Sequence, residues 1–437
     1  MIRFESNFIG RQKEINSLSK AISNTKEITL VSGLAGSGKT YFVQNVLKNK
    51  KKHNQVYCKF DQIIKDYSGE LIFEAISKKL LSIIVSSDKV FKTWQDYFTQ
   101  NLQETVKVLE SSIPELSNFV QVEGDSLQEL GPFEAKTRFE NSLVELINAI
   151  HLLEKDILII FFDDIQWASE RSLELISLIV NQTESKFIFA YRTDDFSPKG
   201  NKFLDGLDKS TQVIEIENFT IDEIKESFHN AFNSIENVDS LIEVIKKKTL
   251  GNPFFTKQLL NSLVTNESLN YENGKIVLDD ELLNSLSISI NVVDLILSNF
   301  SSLCEIKKLI LFRLAHRSGH SSNVSNYFYD QDDITIINKN IDDLIENQYL
   351  KRVGNDLRFQ HDRIQEAATK LFSDQEALIL HYNTAVAAKA SNNVNDYAFH
   401  SIKSLEKLSN SEKKELIKSV IDITDDLILN TQKERAL

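Results

Sequence analysis

Apolar residues in the first half of the chain follow two patterns that alternate along the sequence. Apolar residues recur at the three- and four-residue spacing of amphipathic helices in segments such as Phe133 to Leu153. Between such segments lie five short apolar runs, typical of strands buried in a parallel sheet: Ile28 to Val31, Gln55 to Phe60, Ile157 to Asp164, Lys186 to Tyr191 and Thr211 to Ile216. This alternation predicts an α/β core built on a five-stranded parallel sheet.

From Thr220 onward the pattern is mainly helical. One hairpin is predicted over Asn270 to Leu278, because Asn273-Gly274 at its centre favours a tight turn. Within Ile290 to Phe372, short helices precede two short strands, an order typical of a winged helix. From Asp374 the spacing predicts helical hairpins of the kind that begin a repeat array.

The stretch from Gly33 to Thr40 carries the strongest chemical signal. It reads Gly-Leu-Ala-Gly-Ser-Gly-Lys-Thr and satisfies the phosphate-loop pattern G-x-x-x-x-G-K-[ST]. Its glycines let backbone N–H groups turn inward onto phosphate oxygens, Lys39 supplies a charge for the β and γ phosphates, and Thr40 offers a hydroxyl to Mg²⁺. The alternative is a glycine-rich turn that contains a lysine, but the predicted strand before it and helix after it favour the phosphate loop. The predicted nucleotide-binding residues here are Gly33, Ala35, Gly36, Ser37, Gly38, Lys39, Thr40 and Tyr41.

Acidic and basic residues follow two of the predicted strands. Asp163 matches the Walker B acid that holds Mg²⁺, and Asp164 stands where many relatives place the residue that polarises the attacking water. Arg192 ends another strand and is predicted to sense the γ phosphate. A solvated strand end would explain the acids alone, and the nearby Asp194 and Asp195 leave open a surface role for Arg192.

These motifs predict an α/β P-loop NTPase core with sheet order 5-1-4-3-2, followed by a helical lid, a winged-helix domain and the start of an α-helical repeat region. The predicted domains are 1–218 for nucleotide binding, 219–289 for the lid with its hairpin, 290–372 for the winged helix and 373–437 for the helical region. Because Leu427 to Leu437 carries no helix stop signal, the chain is expected to be a piece of a longer protein.

The overall composition narrows the function. The chain has 437 residues, 41% hydrophobic and 26% charged, as expected for a soluble protein of two to four domains. Its formal net charge of -13 disfavours nucleic acid as a partner. No run of eighteen apolar residues and no signal-peptide pattern is present, which predicts a cytoplasmic location. Cys58 and Cys304 are predicted to be reduced core residues.

Further motifs lie along nearly the whole chain: Lys59-Phe60-Asp61-Gln62, Ile113-Pro114-Glu115-Leu116, Leu130-Gly131-Pro132-Phe133-Glu134, Asp163-Asp164-Ile165-Gln166-Trp167-Ala168, Gly251-Asn252-Pro253-Phe254-Phe255 and Phe359-Gln360-His361-Asp362-Arg363-Ile364-Gln365-Glu366. With them the chain resembles the STAND (AAA+-like) ATPase module of large bacterial signalling proteins. In those proteins the module follows a Ser/Thr kinase domain and precedes sensor and histidine-kinase domains.

The resemblance implies further nucleotide contacts. In this family a segment like Phe8-Ile9-Gly10-Arg11 packs beside adenine, although these residues alone also suit a helix lead-in. Pro253 would touch adenine, while also starting a helix. His361 would donate to the β phosphate of ADP. The cofactors implied are ATP or ADP with Mg²⁺ on Thr40 and Asp163.

The implied function is a signalling switch with slow ATP hydrolysis. Bound ADP would keep a resting monomer closed, and ATP would favour an open form that binds protein partners or self-associates through the helical C-terminal region. One alternative is a ring-forming AAA+ machine, which needs an arginine from a neighbouring subunit. Others are an initiator-like DNA-binding ATPase, which the acidic charge disfavours, and a scaffold with a vestigial site, which the intact Lys39, Thr40 and Asp163 disfavour.

Overall fold

The computed structural model of the chain describes residues 10–23, 28–48, 54–60, 69–120, 130–154, 156–193, 198–207, 211–232, 239–265, 269–272, 275–278, 292–316, 334–353, 356–390 and 393–422. These residues form two compact units. The first unit contains the described residues up to Asn230 together with Asn252–Phe254. The second contains Ala231–Gly251 and the described residues from Phe255 onward.

A five-stranded parallel sheet forms the centre of the first unit. Its strands are β1 (Ile28–Gly33), β2 (Gln55–Lys59), β3 (Ile159–Asp163), β4 (Lys186–Arg192) and β5 (Thr211–Glu215). The spatial order is β2-β3-β4-β1-β5, which confirms the predicted order 5-1-4-3-2 read from the opposite edge. In register, Gly33 lies opposite Arg192, and Lys59 lies opposite Asp163. The chemically distinctive residues therefore meet at the carboxyl edge of the sheet, where open α/β sheets bind ligands.

The inner strands β1, β3 and β4 are buried on both faces, which explains their apolar runs, and the edge strands β2 and β5 are partly exposed. Along β3, Ile160 and Phe162 pack into one core, and Ile159 and Phe161 pack into another on the opposite face. This alternation follows from the two-residue period of a strand. Helices α1 (Gln12–Ser23) and α2 (Lys39–Lys48) cover one face.

The other face carries the larger core. It is covered by α3 (Glu70–Ile84), α4 (Asp88–Asn101), α5 (Gln103–Leu109), α6 (Pro132–Leu153) and α7 (Glu170–Gln182). Helix α6 begins at Pro132, whose missing N–H costs nothing in a first helical turn. Ser169 caps α7 by accepting a hydrogen bond from the N–H of Ser172. Helix α8 (Pro198–Asp205) precedes β5, and α9 (Ile221–Phe232) follows it.

Helix α9 begins with a capping box formed by Thr220 and Glu223. The carboxylate of Glu223 accepts a hydrogen bond of 2.8 Å from the backbone N–H of Thr220, and the hydroxyl of Thr220 accepts one of 3.2 Å from the N–H of Glu223. These reciprocal bonds satisfy donors that a helix start leaves without partners.

The second unit is mainly helical and includes two small antiparallel sheets. Its elements are α10 (Asp239–Thr249), α11 (Pro253–Thr265) from Phe255 onward, β6 (Leu269–Glu272), β7 (Lys275–Leu278), α12 (Val292–Ser301), α13 (Glu305–Ala315), α14 (Ile334–Glu346), β8 (Leu350–Val353), β9 (Asp356–Phe359), α15 (Asp362–Thr369), α16 (Asp374–Ala390) and α17 (Val394–Lys403). A further helical segment covers residues 410–422. Strands pair as β6-β7, at the position of the predicted hairpin, and as β8-β9, within the region where the sequence predicts two short strands. The winged-helix assignment stays a prediction.

One sequence prediction about the core is wrong. Cys58 is buried as expected, but Cys304 is exposed. Cys304 stands at the N-cap position, just before the first turn of α13, so it lies outside the apolar face of that helix. Among the described residues, no helix is both long enough and apolar enough to cross a bilayer.

Candidate functional site

The phosphate-loop sequence forms a tight turn between β1 and α2. Gly33, Gly36 and Gly38 have φ angles of 152°, 77° and 92°, in the region that side chains disfavour. A Cβ atom on Gly33 would lie 2.5 Å from the carbonyl oxygen of Ile216, so no larger residue fits there. The predicted loop thus has the backbone conformation that its glycines permit.

The side chain of Lys39 folds over this turn. Its Nζ donates hydrogen bonds of 2.9 Å to the carbonyl oxygens of both Gly33 and Leu34, which holds the ammonium group against the loop. The hydroxyl of Ser37 is buried, and none of the described residues is its hydrogen-bond partner. A fixed positive charge and a buried hydroxyl without a partner both fit a phosphate group in the loop.

Thr40 and Asp163 come together although they are distant in sequence. The Oγ1 atom of Thr40 donates to both carboxylate oxygens of Asp163, at 3.0 and 2.9 Å, and the hydroxyl of Tyr57 donates to Oδ2 at 2.9 Å. Burial, and then the charge of Asp164, raise the pKa of Asp163 to about 6. A hydroxyl beside a carboxylate is the oxygen chemistry that Mg²⁺ prefers.

The described residues include no group of three or more histidine, cysteine or acidic side chains arranged to hold a metal ion. In nucleotide sites Mg²⁺ is usually held by one or two protein ligands together with substrate phosphates and waters. Thr40 and Asp163 stay the predicted protein ligands of Mg²⁺.

Asp164 is the centre of a separate charged network. Its φ angle is 56°, a left-handed conformation that residues other than glycine adopt infrequently. Its Oδ2 lies 3.0 Å from Nζ of Lys59, and its Oδ1 accepts a hydrogen bond of 2.9 Å from Gln166 and lies 3.7 Å from Nε of Arg192. Burial alone would raise the pKa of Asp164, but the charges of Lys59 and Arg192 outweigh it and hold that pKa well below its usual range.

Arg192 is a buried residue, 5% exposed, and the surface role that the sequence left open is wrong. Its backbone N–H donates to the side-chain oxygen of Gln166 at 3.2 Å, and its guanidinium lies 5.6 Å from the ring centroid of Trp167. Because β4 lies between β1 and β3, its last residue lies between the phosphate loop and the acids that follow β3.

The N-terminal segment of the predicted base pocket is described in part. Phe8 and Ile9 lie outside the described residues. Gly10 and Arg11 have φ angles of 64° and 62°. The Nη2 atom of Arg11 donates to the carbonyl of Ser37 at 2.7 Å, so this arginine contacts the phosphate loop itself.

The segment Asn252–Phe254 packs against the same loop. The side-chain amide of Asn252 donates to the carbonyl of Ala35 at 2.9 Å, and the backbone N–H of Phe254 donates to the carbonyl of Gly36 at 3.3 Å. A Cβ atom on Gly36 would lie 2.8 Å from Oδ1 of Asn252, so the close approach requires a glycine. Pro253, which the resemblance assigns to adenine, is half-buried at the first residue of α11.

His361 occupies the N-cap position of α15 in the second unit. Its Nδ1 accepts a hydrogen bond of 3.1 Å from the backbone N–H of Arg363. Because an accepting Nδ1 carries no proton, the neutral ring carries its proton on Nε2. Any donation from this imidazole to a phosphate would therefore come from Nε2.

Four polar residues of the site were missed by the sequence interpretation. They are Tyr57, Lys59, Gln166 and Asn252. Lys59, Gln166 and Asn252 lie inside motifs on which the family resemblance rests. The motifs marked these positions, but they did not indicate what each side chain does. Tyr41, which was predicted to contact nucleotide, is 43% exposed on α2.

Part of the chain is similar in sequence to a known protein family and to known proteins. Residues 7–190 match the family described as AAA ATPase domain. "Hybrid signal transduction histidine kinase G" of Dictyostelium discoideum is 31% identical over 176 residues, which are 39% of this chain and 5% of that protein. "Histidine protein kinase 1" of Candida albicans is 25% identical over 195 residues, which are 40% of this chain and 8% of that protein.

The fold also matches a solved structure. A "Signal Transduction ATPase with Numerous Domains (STAND) protein with a tetratricopeptide repeat sensor" from Pyrococcus horikoshii aligns with a TM-score of 0.53 and 13% identity. The alignment covers 98% of this chain and 53% of that one, and at this identity it shows the fold alone. Residues 7–190 are therefore similar in sequence to an AAA ATPase domain, and the fold of the chain is similar to that of a STAND protein.

Proposed function

We propose that this module binds ATP or ADP with Mg²⁺ at the phosphate loop and hydrolyses ATP slowly as the switch of a signalling protein. The observation that supports this best is the contact between Thr40 and Asp163. Their side chains meet at 2.9 to 3.0 Å beside the loop that carries Lys39. The hydroxyl, the carboxylate and the lysine are the three side chains that P-loop ATPases use to hold Mg²⁺ and the β and γ phosphates.

In this proposal each group has a separate task. Lys39 holds the β and γ phosphates, and Thr40 and Asp163 are the protein ligands of Mg²⁺. When bound, Mg²⁺ neutralises charge on the phosphate oxygens. Asp164 accepts a hydrogen bond from the attacking water and orients it, and Arg192 stabilises the γ phosphate.

The way in which Asp164 is held supports the proposal of slow turnover. Oδ2 faces the ammonium of Lys59, and Oδ1 faces the amide of Gln166 and the guanidinium of Arg192. A carboxylate engaged on both oxygens is suited to orient water, and it is poorly suited to accept the proton of that water. Arg192 also interacts with both Asp164 and, in this proposal, the γ phosphate. Sharing the guanidinium weakens its interaction with each of them.

The switch depends on contacts between the nucleotide site and the residues that follow the ATPase domain. Asn252–Phe254 already bonds to the loop, so nucleotide that alters the loop would alter this segment. We further propose that Pro253 touches adenine and that Nε2 of His361 donates to the β phosphate of ADP. Moving a switch from 1:99 to 99:1 needs about 5.5 kcal/mol of differential binding. One charge-assisted hydrogen bond contributes about 1.5 to 3 kcal/mol, so several contacts must change together.

The outputs proposed for the switch are partner binding and self-association through the helical region that begins at Asp374. A cytoplasmic location and an ADP-bound resting monomer belong to the same proposal. The structural neighbour from Pyrococcus horikoshii carries a tetratricopeptide repeat sensor. Stacked helical repeats form extended binding surfaces, so a helical repeat region would suit a protein-binding role.

The experiment is steady-state ATP hydrolysis with Mg²⁺ or with excess EDTA, for the wild type and Lys39→Ala. We expect slow turnover that requires Mg²⁺ and is lost in Lys39→Ala. Equal turnover in the two proteins would contradict the proposed site. Fast turnover that rises with protein concentration would contradict a slow monomeric switch and would instead support a ring-forming machine.

A further inference from the structure

We propose that Lys59 is a positioning residue for ATP hydrolysis, which holds the carboxylate of Asp164 in the orientation that presents it to the attacking water. The inference rests on the proposed function, because it assigns a role within the same site. It also gives a physical task to the Lys59-Phe60-Asp61-Gln62 motif, of which Lys59 and Phe60 lie in the described residues.

The sheet brings Lys59 to this position. Lys59 is the last residue of β2 and lies opposite Asp163, the last residue of the neighbouring β3. Its side chain extends past that partner to the next residue, where Nζ lies 3.0 Å from Oδ2 of Asp164. The lysine side chain is 29% exposed and that of Asp164 is 8% exposed, so the pair stands at the rim of the buried site.

Asp164 needs external support because its backbone is strained. A φ angle of 56° in a residue other than glycine costs free energy, and surrounding contacts must hold such a conformation in place. Two side chains support Oδ1: Gln166 donates to it at 2.9 Å, and Nε of Arg192 lies 3.7 Å away. On Oδ2 the ion pair comes from Lys59.

Lys59 therefore balances Arg192 across the carboxylate. Without the ammonium group on Oδ2, the attraction of Arg192 would turn the carboxylate toward β4. That rotation would move the acceptor oxygen away from the water and would also engage the arginine that we propose for the γ phosphate. Each carboxylate oxygen offers about two acceptor directions, so Oδ2 is able to accept from Lys59 and from a water molecule together.

The test compares Lys59→Met, Lys59→Arg, Asp164→Asn and the double variant Lys59→Met/Asp164→Asn. Steady-state hydrolysis gives kcat and KM for ATP, and titration with fluorescent ADP gives the Kd. Lys78→Met is the matched control, because Lys78 is an exposed lysine paired with Glu74 along α3. Circular dichroism melts check that each variant is folded.

We expect Lys59→Met to lower kcat roughly 10- to 100-fold, the range for loss of one charge-assisted hydrogen bond. KM and the ADP Kd should stay within about twofold, and Lys59→Arg should recover most of kcat. The decisive result is in the double variant. If Lys59 acts through Asp164, the lysine substitution should have no further effect once Asp164 is already asparagine.

An unchanged kcat in Lys59→Met, or a loss that multiplies with that of Asp164→Asn, would overturn the inference alone. A weakened ADP Kd would also overturn it, since Lys59 would then contact the nucleotide. Wild-type turnover no faster than that of Lys39→Ala would overturn both the proposed function and this inference. The wild-type measurement therefore separates the two failures.

Discussion

Replacing Asn252 by alanine removes a hydrogen bond that supports the phosphate loop from within the protein. The amide of Asn252 donates to the carbonyl of Ala35 inside the phosphate loop at 2.9 Å, and the side chain belongs to a residue that is 3% exposed. The substitution leaves the backbone acceptor of Ala35 buried, because Ala35 is itself 4% exposed. The loop would lose a support that holds its phosphate-binding conformation before ligand arrives.

The size of the effect follows from that buried acceptor. Leaving a buried backbone carbonyl without its partner costs about 1 to 3 kcal/mol. If the loop of the variant relaxes so that this carbonyl finds another partner, a similar free energy is needed to return the loop to its phosphate-binding conformation when ADP binds. We therefore expect the Kd for ADP to rise about 5- to 150-fold, since about 1.4 kcal/mol corresponds to a tenfold change.

The assay is titration of the purified protein with fluorescent ADP in the presence of Mg²⁺. Asn101→Ala is the matched control, because the amide of Asn101 also donates to a backbone carbonyl at 2.9 Å but lies exposed on α4. The control should bind ADP as the wild type does. An Asn252→Ala protein that melts normally and binds ADP within twofold of the wild type would refute the claim that this amide organises the loop.

Two other predictions concern the Walker B acid and a buried histidine pair. Asp163→Asn should lower Mg²⁺-dependent ATP turnover roughly 100-fold or more, while the Kd for ADP without Mg²⁺ stays within a few-fold of the wild-type value. Retained turnover would exclude Asp163 as a metal ligand. In the second unit, the Nδ1 atoms of His381 and His400 lie 2.8 Å apart. Burial, and then positive charge on neighbouring histidines, lowers the pKa of His381 to about 3. Burial lowers the pKa of His400 to about 4. Both folded values lie below the unfolded value of about 6.5, so stability should fall as pH drops from about 6.5 toward 4, by at most about 1.4 kcal/mol per pH unit for each histidine. Amide hydrogen exchange of α16 and α17 at pH 7.5 and 5.0 measures this loss of stability. The control is His229→Gln, because His229 is exposed. Equal protection factors at the two pH values would contradict the prediction.

Much of the fold was predictable from the sequence because it depends on periodic patterns. The alternation of apolar runs and helical spacing predicted the five-stranded parallel sheet, and its order is confirmed. The phosphate loop was also recognisable from the sequence, because its backbone needs glycine at positions where other residues do not fit. At Gly33 that requirement is the carbonyl of Ile216, which leaves no room for a Cβ atom.

The charged network around Asp164 was less accessible to sequence reasoning. Lys59 reaches Asp164 because β2 and β3 are neighbours in the sheet, and strand adjacency is a tertiary property. Once the order 5-1-4-3-2 was predicted, the carboxyl ends of those strands were expected to meet, so the contact could have been proposed. The left-handed turn at Asp164 that directs its carboxylate toward Lys59 had no sequence signal.

Two other features show where local patterns mislead. Arg192 is followed by acids, which suggested a surface residue, yet its position on a central strand buries it. At Gly251-Asn252-Pro253 the sequence interpretation assigned a role to Pro253 and none to Asn252. Asn252 makes the hydrogen bond to the loop, and a buried amide cannot be distinguished from an exposed turn residue by sequence alone.

The central claim is that the phosphate loop, Thr40 and Asp163 form a nucleotide site that rests in an ADP-bound state. The most direct measurement is chromatography of the nucleotide released when the purified protein is denatured, together with the ATP turnover of the same preparation. The account predicts close to one ADP per chain, slow turnover, and loss of the bound nucleotide in Lys39→Ala. Protein that releases no nucleotide and neither binds nor hydrolyses added ATP would contradict the account.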